Sequence, residues 1–290
     1  MTFPLICPVC RNPLTWGNVA AACPSGHSFD IAREGYINLY KTSRRSKNQP
    51  GDSRDMLQAR RRFLDSGVYE GLSDHINAQV SAYIRDAYTK VTNILDAGCG
   101  EGYYLGRLMA CLSNRGLNAR GAGIDISKEA IRMASRRYTD TTWCVANAAH
   151  DIPCLDGAVH LAVSVFAPRF GEVLNRILAP GGRLLVILPG PSHLSELNAI
   201  AMVHTRDTTA KEQDVINRLE NFYSLENREQ EKRTVSLDRD MVWDLYRMIP
   251  VYWRSTREAQ DRIRALEGLE VTTHFVVLSF TPDPPIGHHV

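Results

Sequence analysis

The chain is expected to be α/β, a Rossmann-like, doubly wound sheet of seven strands preceded by a small metal-held ribbon. Three observations predict this. Between residues 91 and 188, short apolar runs alternate with amphipathic stretches, so the hydrophobic period switches repeatedly between strand and helix. The first run ends in Ile94-Leu95-Asp96-Ala97-Gly98-Cys99-Gly100-Glu101-Gly102, a glycine turn where a strand passes into a helix. Near the N-terminus, Cys7, Cys10, Cys23 and His27 follow Cys-x2-Cys, twelve residues, Cys-x3-His.

Thiolates and an imidazole nitrogen suit zinc, and four protein ligands leave no position for water, so the metal is expected to be structural. Pro8 and Pro24-Ser25-Gly26 fall in the turns where two knuckles fold back on one ion. Cys99, Cys111, Cys144 and Cys154 follow no pair spacing and read as buried thiols. Seven cysteines, with no signal peptide and no long apolar run, point to a reducing, soluble, cytoplasmic setting without a membrane. A length of 290 residues at 44% hydrophobic content allows one full-sized domain and one small module. The expected division is a zinc ribbon over 1–45, a basic helical connector over 46–90 and a cofactor-binding domain over 91–290.

After the ribbon, which ends near Phe29, the segment 31–40 is expected to pack it onto the rest of the chain, and 41–51 to be a polar loop. Ser53 is a plausible N-cap for a helix through Asp65 that Gly67 ends, and a second helix is expected over 69–88. Strands are expected at 91–97, 119–126, 142–146, 159–166 and 183–188, with helices at 103–111, 128–138 and 171–178. Beyond Pro189, amphipathic stretches occupy 193–203, 239–248 and 256–266. A candidate strand pair lies in 269–280, and the tail 282–290 looks frayed.

The net charge of +2 conceals an asymmetry. Residues 41–62 hold eight Lys or Arg, among them Arg44, Arg45, Lys47, Arg60, Arg61 and Arg62, against Asp52 and Asp55, so the rest of the chain is net negative. Such a band suits a polyanion, though a solvated linker has the same composition.

Glycines at the strand-to-helix turn let a ligand approach backbone N–H groups, and on their own they would serve a dinucleotide as well. Asp96 before the first glycine and Asp125 ending the next strand, where an acid can hold both ribose hydroxyls, narrow the choice. Asp-x-Gly-x-Gly-x-Gly followed by that acid resembles class I S-adenosylmethionine-dependent methyltransferases. That resemblance implies an antiparallel last strand and cofactor contacts at Asp96, Gly98, Gly100, Glu101, Gly102, Tyr103, Asp125, Ile126, Asn147 and Ala148. Asn147 stands where many such enzymes carry an acid toward the adenine amino group, and its amide carbonyl can accept the same bond.

The resemblance extends along nearly the whole chain to the RlmA family of 23S rRNA guanine-N1 methyltransferases. Its pieces are the zinc ligands, Phe29-Asp30 with Glu34-Gly35-Tyr36-Ile37-Asn38-Leu39, Ala59-Arg60-Arg61 with Phe63-Leu64-Asp65, and Gly98 to Tyr104. Phe166-Ala167-Pro168, Pro180-Gly181-Gly182, Pro189-Gly190 with His193-Leu194, and Met248-x-Pro250-x-x-Trp253 complete it. The family methylates one of two neighbouring guanosines in a domain II hairpin. Phe166-Ala167-Pro168-Arg169 leans toward the branch that contains macrolide- and tylosin-resistance enzymes. The resemblance implies S-adenosylmethionine, structural zinc, an rRNA partner and a homodimer.

Guanine N1 carries a proton at neutral pH, so the site must remove it or stabilise charge on O6. Three residues are the catalytic candidates: His150 as proton acceptor, Arg169 as donor to O6 or phosphate, and Phe166 as a stacking surface for an extruded base. Arg44, Arg45, Lys47, Arg60, Arg61, Arg62, His193 and Trp253 are the candidate RNA contacts, with a helix-capping role open for His193. A small-molecule methyltransferase and an inactive RNA-binding relative are the competing readings.

Overall fold

The computed structural model describes residues 3–41, 51–87, 91–167, 171–202 and 208–283. Residues 42–50 of the polar loop expected over 41–51, residue 88 of the helix expected over 69–88, and residues 284–290 of the tail lie outside the described residues. Three short antiparallel strands, β1 (Thr15–Trp16), β2 (Ala20–Ala22) and β3 (Ser28–Asp30), build the ribbon. β4 (Ile37–Asn38) then leaves it and pairs, in parallel, with a strand of the large sheet.

Ser53 caps α1 (Arg54–Asp65) by accepting from the Met56 N–H at 3.3 Å, and Gly67 at φ +83° comes just after its end. α2 (Glu70–Ala87) is next, and the alternating region begins. Its elements are β5 (Thr92–Ala97), α3 (Tyr103–Asn114), β6 (Ala119–Asp125), α4 (Lys128–Arg137), β7 (Thr142–Val145), β8 (Val159–Val165), α5 (Gly171–Ile177) and β9 (Leu178–Pro189). The C-terminal part adds α6 (Ser195–Ile200), α7 (Thr208–Leu219), β10 (Tyr223–Asp238), α8 (Arg239–Met248), α9 (Arg257–Arg264) and β11 (Gly268–Pro282).

The large sheet has eight strands in the order β10-β11-β9-β8-β5-β6-β7-β4. β11 runs antiparallel to both of its neighbours, and the other pairings are parallel. The expected seven strands with an antiparallel last one are present, and β4 is the eighth. The expected strand pair in 269–280 is a single strand, β11. Its partner β10 carries no alternating signal because it is an edge strand whose residues are mostly exposed, with charges from Glu226 to Arg233.

Alternate strand residues feed two cores. Ile94 joins Phe63, Leu72, Ile76, Leu105 and Tyr246 on one face, whereas Leu95 joins Ile124, Cys144, Ile152, Val186 and Phe280 on the other. Phe3, Leu5, Cys7, Leu14 and Ala21 of the ribbon belong to that second core, so the ribbon's apolar side is continuous with the sheet's. Among the described residues, no helix is long and apolar enough to cross a membrane.

Candidate active site and metal centre

Cys7, Cys10, Cys23 and His27 converge as the spacing predicts, with their ligand atoms all within 4.8 Å of one another. Cys23 Sγ lies 3.5 Å from Cys10 Sγ and 3.4 Å from His27 Nδ1. Ligands about 2.0–2.3 Å from a tetrahedral zinc ion stand at such separations. The backbone N–H of Asn12 is the main cause that lowers the Cys10 thiol to about 6, which favours the thiolate a metal needs. The donor set and its partial burial fit a closed, structural zinc site.

The sheet reverses its strand order between β5 and β8, so the turns after these two strands lie side by side at their C-terminal ends. After β5, Gly98 (φ +86°) and Gly100 (φ +55°) adopt left-handed backbone, and the Gly98 and Cys99 N–H groups donate to Ile124 O at 2.8 and 3.0 Å. A Cβ on Gly98 would come within 2.5 Å of Ala167 Cβ, which brings the segment after β8 against the turn. Asp125 ends β6 and accepts from the Gly100 N–H at 2.9 Å and the Ser127 N–H at 2.8 Å.

Asp96 is 2% exposed and its Oδ1 has no hydrogen-bond partner. Burial, with the Asp125 charge adding to it, pushes its carboxyl up to about 8. The buried Tyr104 hydroxyl has no partner either. From α1, Arg60 reaches over the turn: its Nη1 lies 2.6 Å from Asp52 Oδ2 and 3.4 Å from where a Gly100 Cβ would sit. The crevice therefore offers an unsatisfied buried acid, a cation, and an acid at the end of β6. S-adenosylmethionine carries an ammonium, a carboxylate and a ribose diol, and these groups fit that set.

The remaining predicted cofactor residues divide. Ile126 is half-buried beside Asp125. Asn147 and Ala148 come after β7, and Asn147 Oδ1 already accepts the Ala149 N–H at 2.9 Å in an Asx turn. The adenine contact expected of that oxygen would need its second lone pair. The side chain of Glu101 is held by Arg61, and Tyr103 is buried beneath Arg107. Gly102 (φ +85°) is required by packing as well as by the turn, because a Cβ there would meet Trp143 at 2.6 Å.

Phe166, just past the end of β8, has φ +54°, a region that disfavours a residue bearing a side chain, and remains 39% exposed. Its ring stacks on His193 with centroids 6.3 Å apart and packs near Tyr69, Tyr104 and Phe275. His193 Nδ1 accepts the His274 N–H at 3.2 Å and its Nε2 meets Tyr69 Oη at 3.2 Å. Burial, together with His274, lowers its pKa to about 3, so the ring is neutral. His193 precedes α6 without capping it, because that helix begins after Leu194 with no side-chain cap.

His150 is exposed on the turn after Asn147. Trp253 is 58% exposed and its ring packs edge-on against Tyr252 at 5.0 Å. Arg44, Arg45, Lys47 and Arg169 lie outside the described residues. Arg60, Arg61 and Arg62, the expected RNA contacts of the connector, are each turned onto a carboxylate, of Asp52, Glu101 and Asp244 respectively. Helix periodicity explains the pairing, since α1 packs on α8 and over the glycine turn, which brings Arg61 and Arg62 against the buried Glu101 and Asp244 and Arg60 onto the half-buried Asp52. Sequence reasoning missed Tyr69, Tyr104 and His274 as site-lining groups. Only their aromatic or titratable character marked them before the fold brought them together.

Residues 5–47 match the family described as RlmA, N-terminal, and residues 94–182 match that described as Methyltransferase domain. The chain is 35% identical over 280 residues to the 23S rRNA (guanine(748)-N(1))-methyltransferase of Streptomyces fradiae, covering 96% of this chain and 94% of that protein. It is 33% identical over 297 residues to a putative 23S rRNA (guanine-N(1)-)-methyltransferase of Micromonospora griseorubida, with 96% and 97% covered. A protein with the same description from Bacillus subtilis is 26% identical over 275 residues, with 94% and 95% covered.

Proposed function

The chain belongs to the 23S rRNA (guanine-N1)-methyltransferase family, and from that premise we propose that it transfers a methyl group from S-adenosylmethionine to N1 of one guanosine in a domain II hairpin of 23S rRNA. The observation that carries this reading is the union, in one chain similar to its relatives from end to end, of a Cys3His centre with a glycine turn above an unsatisfied buried acid.

When bound, S-adenosylmethionine supplies a methyl group already activated by its sulfonium. The chain's part is to hold, orient and exclude water. In this reading Asp96 takes the ammonium at its free Oδ1, Arg60 faces the carboxylate, Asp125 takes the ribose diol, and the segment of Asn147 and Ala148 borders the adenine. Phe166 offers its exposed face to an extruded guanine, and its fixed left-handed backbone keeps that face beside the crevice. The N1 proton goes to solvent or to His150, which is exposed on its turn, while Arg169 serves O6. His193, neutral and engaged at both nitrogens, acts as the back wall of the stack.

The ribbon with Arg44, Arg45 and Lys47, and Trp253 on its exposed turn, form the RNA-gripping surface in this reading. Two chains pair around the RNA in the cytoplasm, and the mark lowers macrolide binding, as the Phe166-Ala167-Pro168-Arg169 segment suggests. The division into ribbon, connector and methyltransferase domain at 45 and 90 belongs to the same reading. Primer extension across the hairpin, in rRNA from cells with and without the gene, tests it, because N1 methylation blocks pairing and stops the polymerase. A stop at one guanosine is expected. No stop at either, with methyl transfer to a metabolite pool instead, would overturn it in favour of a small-molecule enzyme.

A further inference from the structure

The segment 147–156 has two neighbours. At one end it carries Asn147 and Ala148, beside Asp125 across the β6–β7 pairing. At the other it is joined to the ribbon's first knuckle by backbone bonds: the Ile6 N–H donates to Pro153 O at 3.0 Å, the Leu155 N–H donates to Pro4 O at 3.1 Å, and Leu5 bridges Cys154. Leu5, Ile6, Ile152 and Cys154 are all almost fully buried there. Between the two ends, Arg176 of α5 donates to Ile152 O at 2.6 Å and Cys154 O at 3.0 Å and pairs with Asp151 and Asp156. Arg11, the residue after the ligand Cys10, reaches the same two acids at 3.4 and 3.5 Å from backbone at φ +61°.

We propose that the zinc knuckle positions the adenine side of the cofactor site, so that zinc and cofactor bind cooperatively. The proposal rests on the cofactor reading above. The path is short: metal fixes Cys7 and Cys10, the knuckle fixes residues 4–6 and Arg11, and their hydrogen bonds and ion pairs fix the segment whose start borders the adenine. Because the ribbon's apolar side is continuous with the sheet's second core, loosening the knuckle exposes Leu5 and Ile6 and frees their partners Pro153 and Cys154. A structural metal couples its binding free energy to folding of such a unit. β4 adds a second tie, since Ile37 pairs with Cys144 and the Leu39 N–H donates to Val145 O at 2.9 Å on β7 itself.

Binding linkage is reciprocal, which gives a test on the intact wild-type chain without RNA or turnover. Zinc affinity is measured by equilibrium competition with a chelator, with and without saturating S-adenosylhomocysteine. A tightening of about fivefold is expected, the lower end of ordinary coupling between sites. As a second measurement, Arg11→Ala at full zinc content should weaken S-adenosylhomocysteine about threefold in calorimetry, the scale of an exposed ion pair, and Arg11→Lys should recover part of it. Zinc affinity unchanged by S-adenosylhomocysteine, in protein that binds it, overturns the coupling. Failure to bind S-adenosylhomocysteine at all would strike the cofactor reading instead.

Discussion

Arg61 directs two N–H donors onto one oxygen of the buried Glu101 carboxylate, Nε at 2.8 Å and Nη2 at 2.5 Å from Oε2, and its Nη2 also donates to Met133 O at 3.1 Å. Glu101 sits in the glycine turn just before α3 with only 1% exposure, so this pair fastens α1 onto that turn. Burial raises the Glu101 pKa and Arg61 opposes that rise. Removing the cation strands the charge. Arg61→Ala is expected to cost about 3–5 kcal/mol in urea unfolding, as for a broken buried pair. Hairpin affinity of the folded fraction should keep its wild-type salt slope, since a guanidinium bound to Glu101 releases no counterion from phosphate. A flattened slope would restore Arg61 to the RNA surface.

Asp96 predicts a pH dependence. Its carboxyl titrates near 8 when folded and near 3.8 when free, so between those values the folded chain holds a proton that the unfolded chain has lost. Stability from this group is therefore full below pH 4, falls as pH rises, and reaches its lowest level above pH 8. Asp96→Asn removes that slope. The variant should gain thermal stability over wild type at pH 8, lose the gain by pH 4, and bind S-adenosylhomocysteine at least tenfold more weakly, as expected where a charged hydrogen bond worth roughly 1.5–3 kcal/mol is removed. Scanning calorimetry at the two pH values, with binding calorimetry at pH 8, checks both halves.

Phe166 combines backbone strain with an exposed ring, and two variants separate these. Phe166→Ala removes the stacking face and keeps a side chain at φ +54°, whereas Phe166→Gly removes the face and relieves the strain. Both should lower kcat/KM for rRNA by about 10- to 100-fold, the worth of one base–aromatic stack. Gly should be the more stable of the two by roughly 1 kcal/mol, because only it accepts the left-handed backbone freely. Single-turnover methylation and urea unfolding provide the comparison.

The glycine turn, Asp125 and the four zinc ligands were legible because each rests on a local rule: a close backbone approach, a strand end, a metal's fixed geometry. The alternating region was legible for the same reason, its buried strands being continuous apolar runs. β10 was not, since an edge strand such as Glu226 to Arg233 exposes charges on both sides and shows no period. Arg60, Arg61 and Arg62 looked like a phosphate-binding row because sequence shows charge without its partner. Asp52, Glu101 and Asp244 are 8, 40 and 182 residues away along the chain. The Tyr69, Phe166 and His193 cluster was hidden likewise, assembled from the start of α2, the end of β8 and the turn before α6.

That cluster makes the last prediction. The imidazole of His193 is folded away with a pKa near 3, while an unfolded histidine takes its proton near 6.5. Between these values the unfolded chain binds one proton more, so stability from this group is full above pH 6.5 and is lost as pH falls toward 3. His274, also lowered by burial, adds to the same slope. His193→Gln should therefore flatten the fall of unfolding free energy between pH 6.5 and 4 by close to one proton, measured by urea titration at each pH. Tyr69→Phe keeps the imidazole but strips Nε2 of its partner, at a cost of about 1–3 kcal/mol without changing that slope. Equal slopes in wild type and His193→Gln would mean that the ring is solvated and free to titrate beside Phe166, and the neutral back wall of the proposed stack would have to be replaced by a charged one.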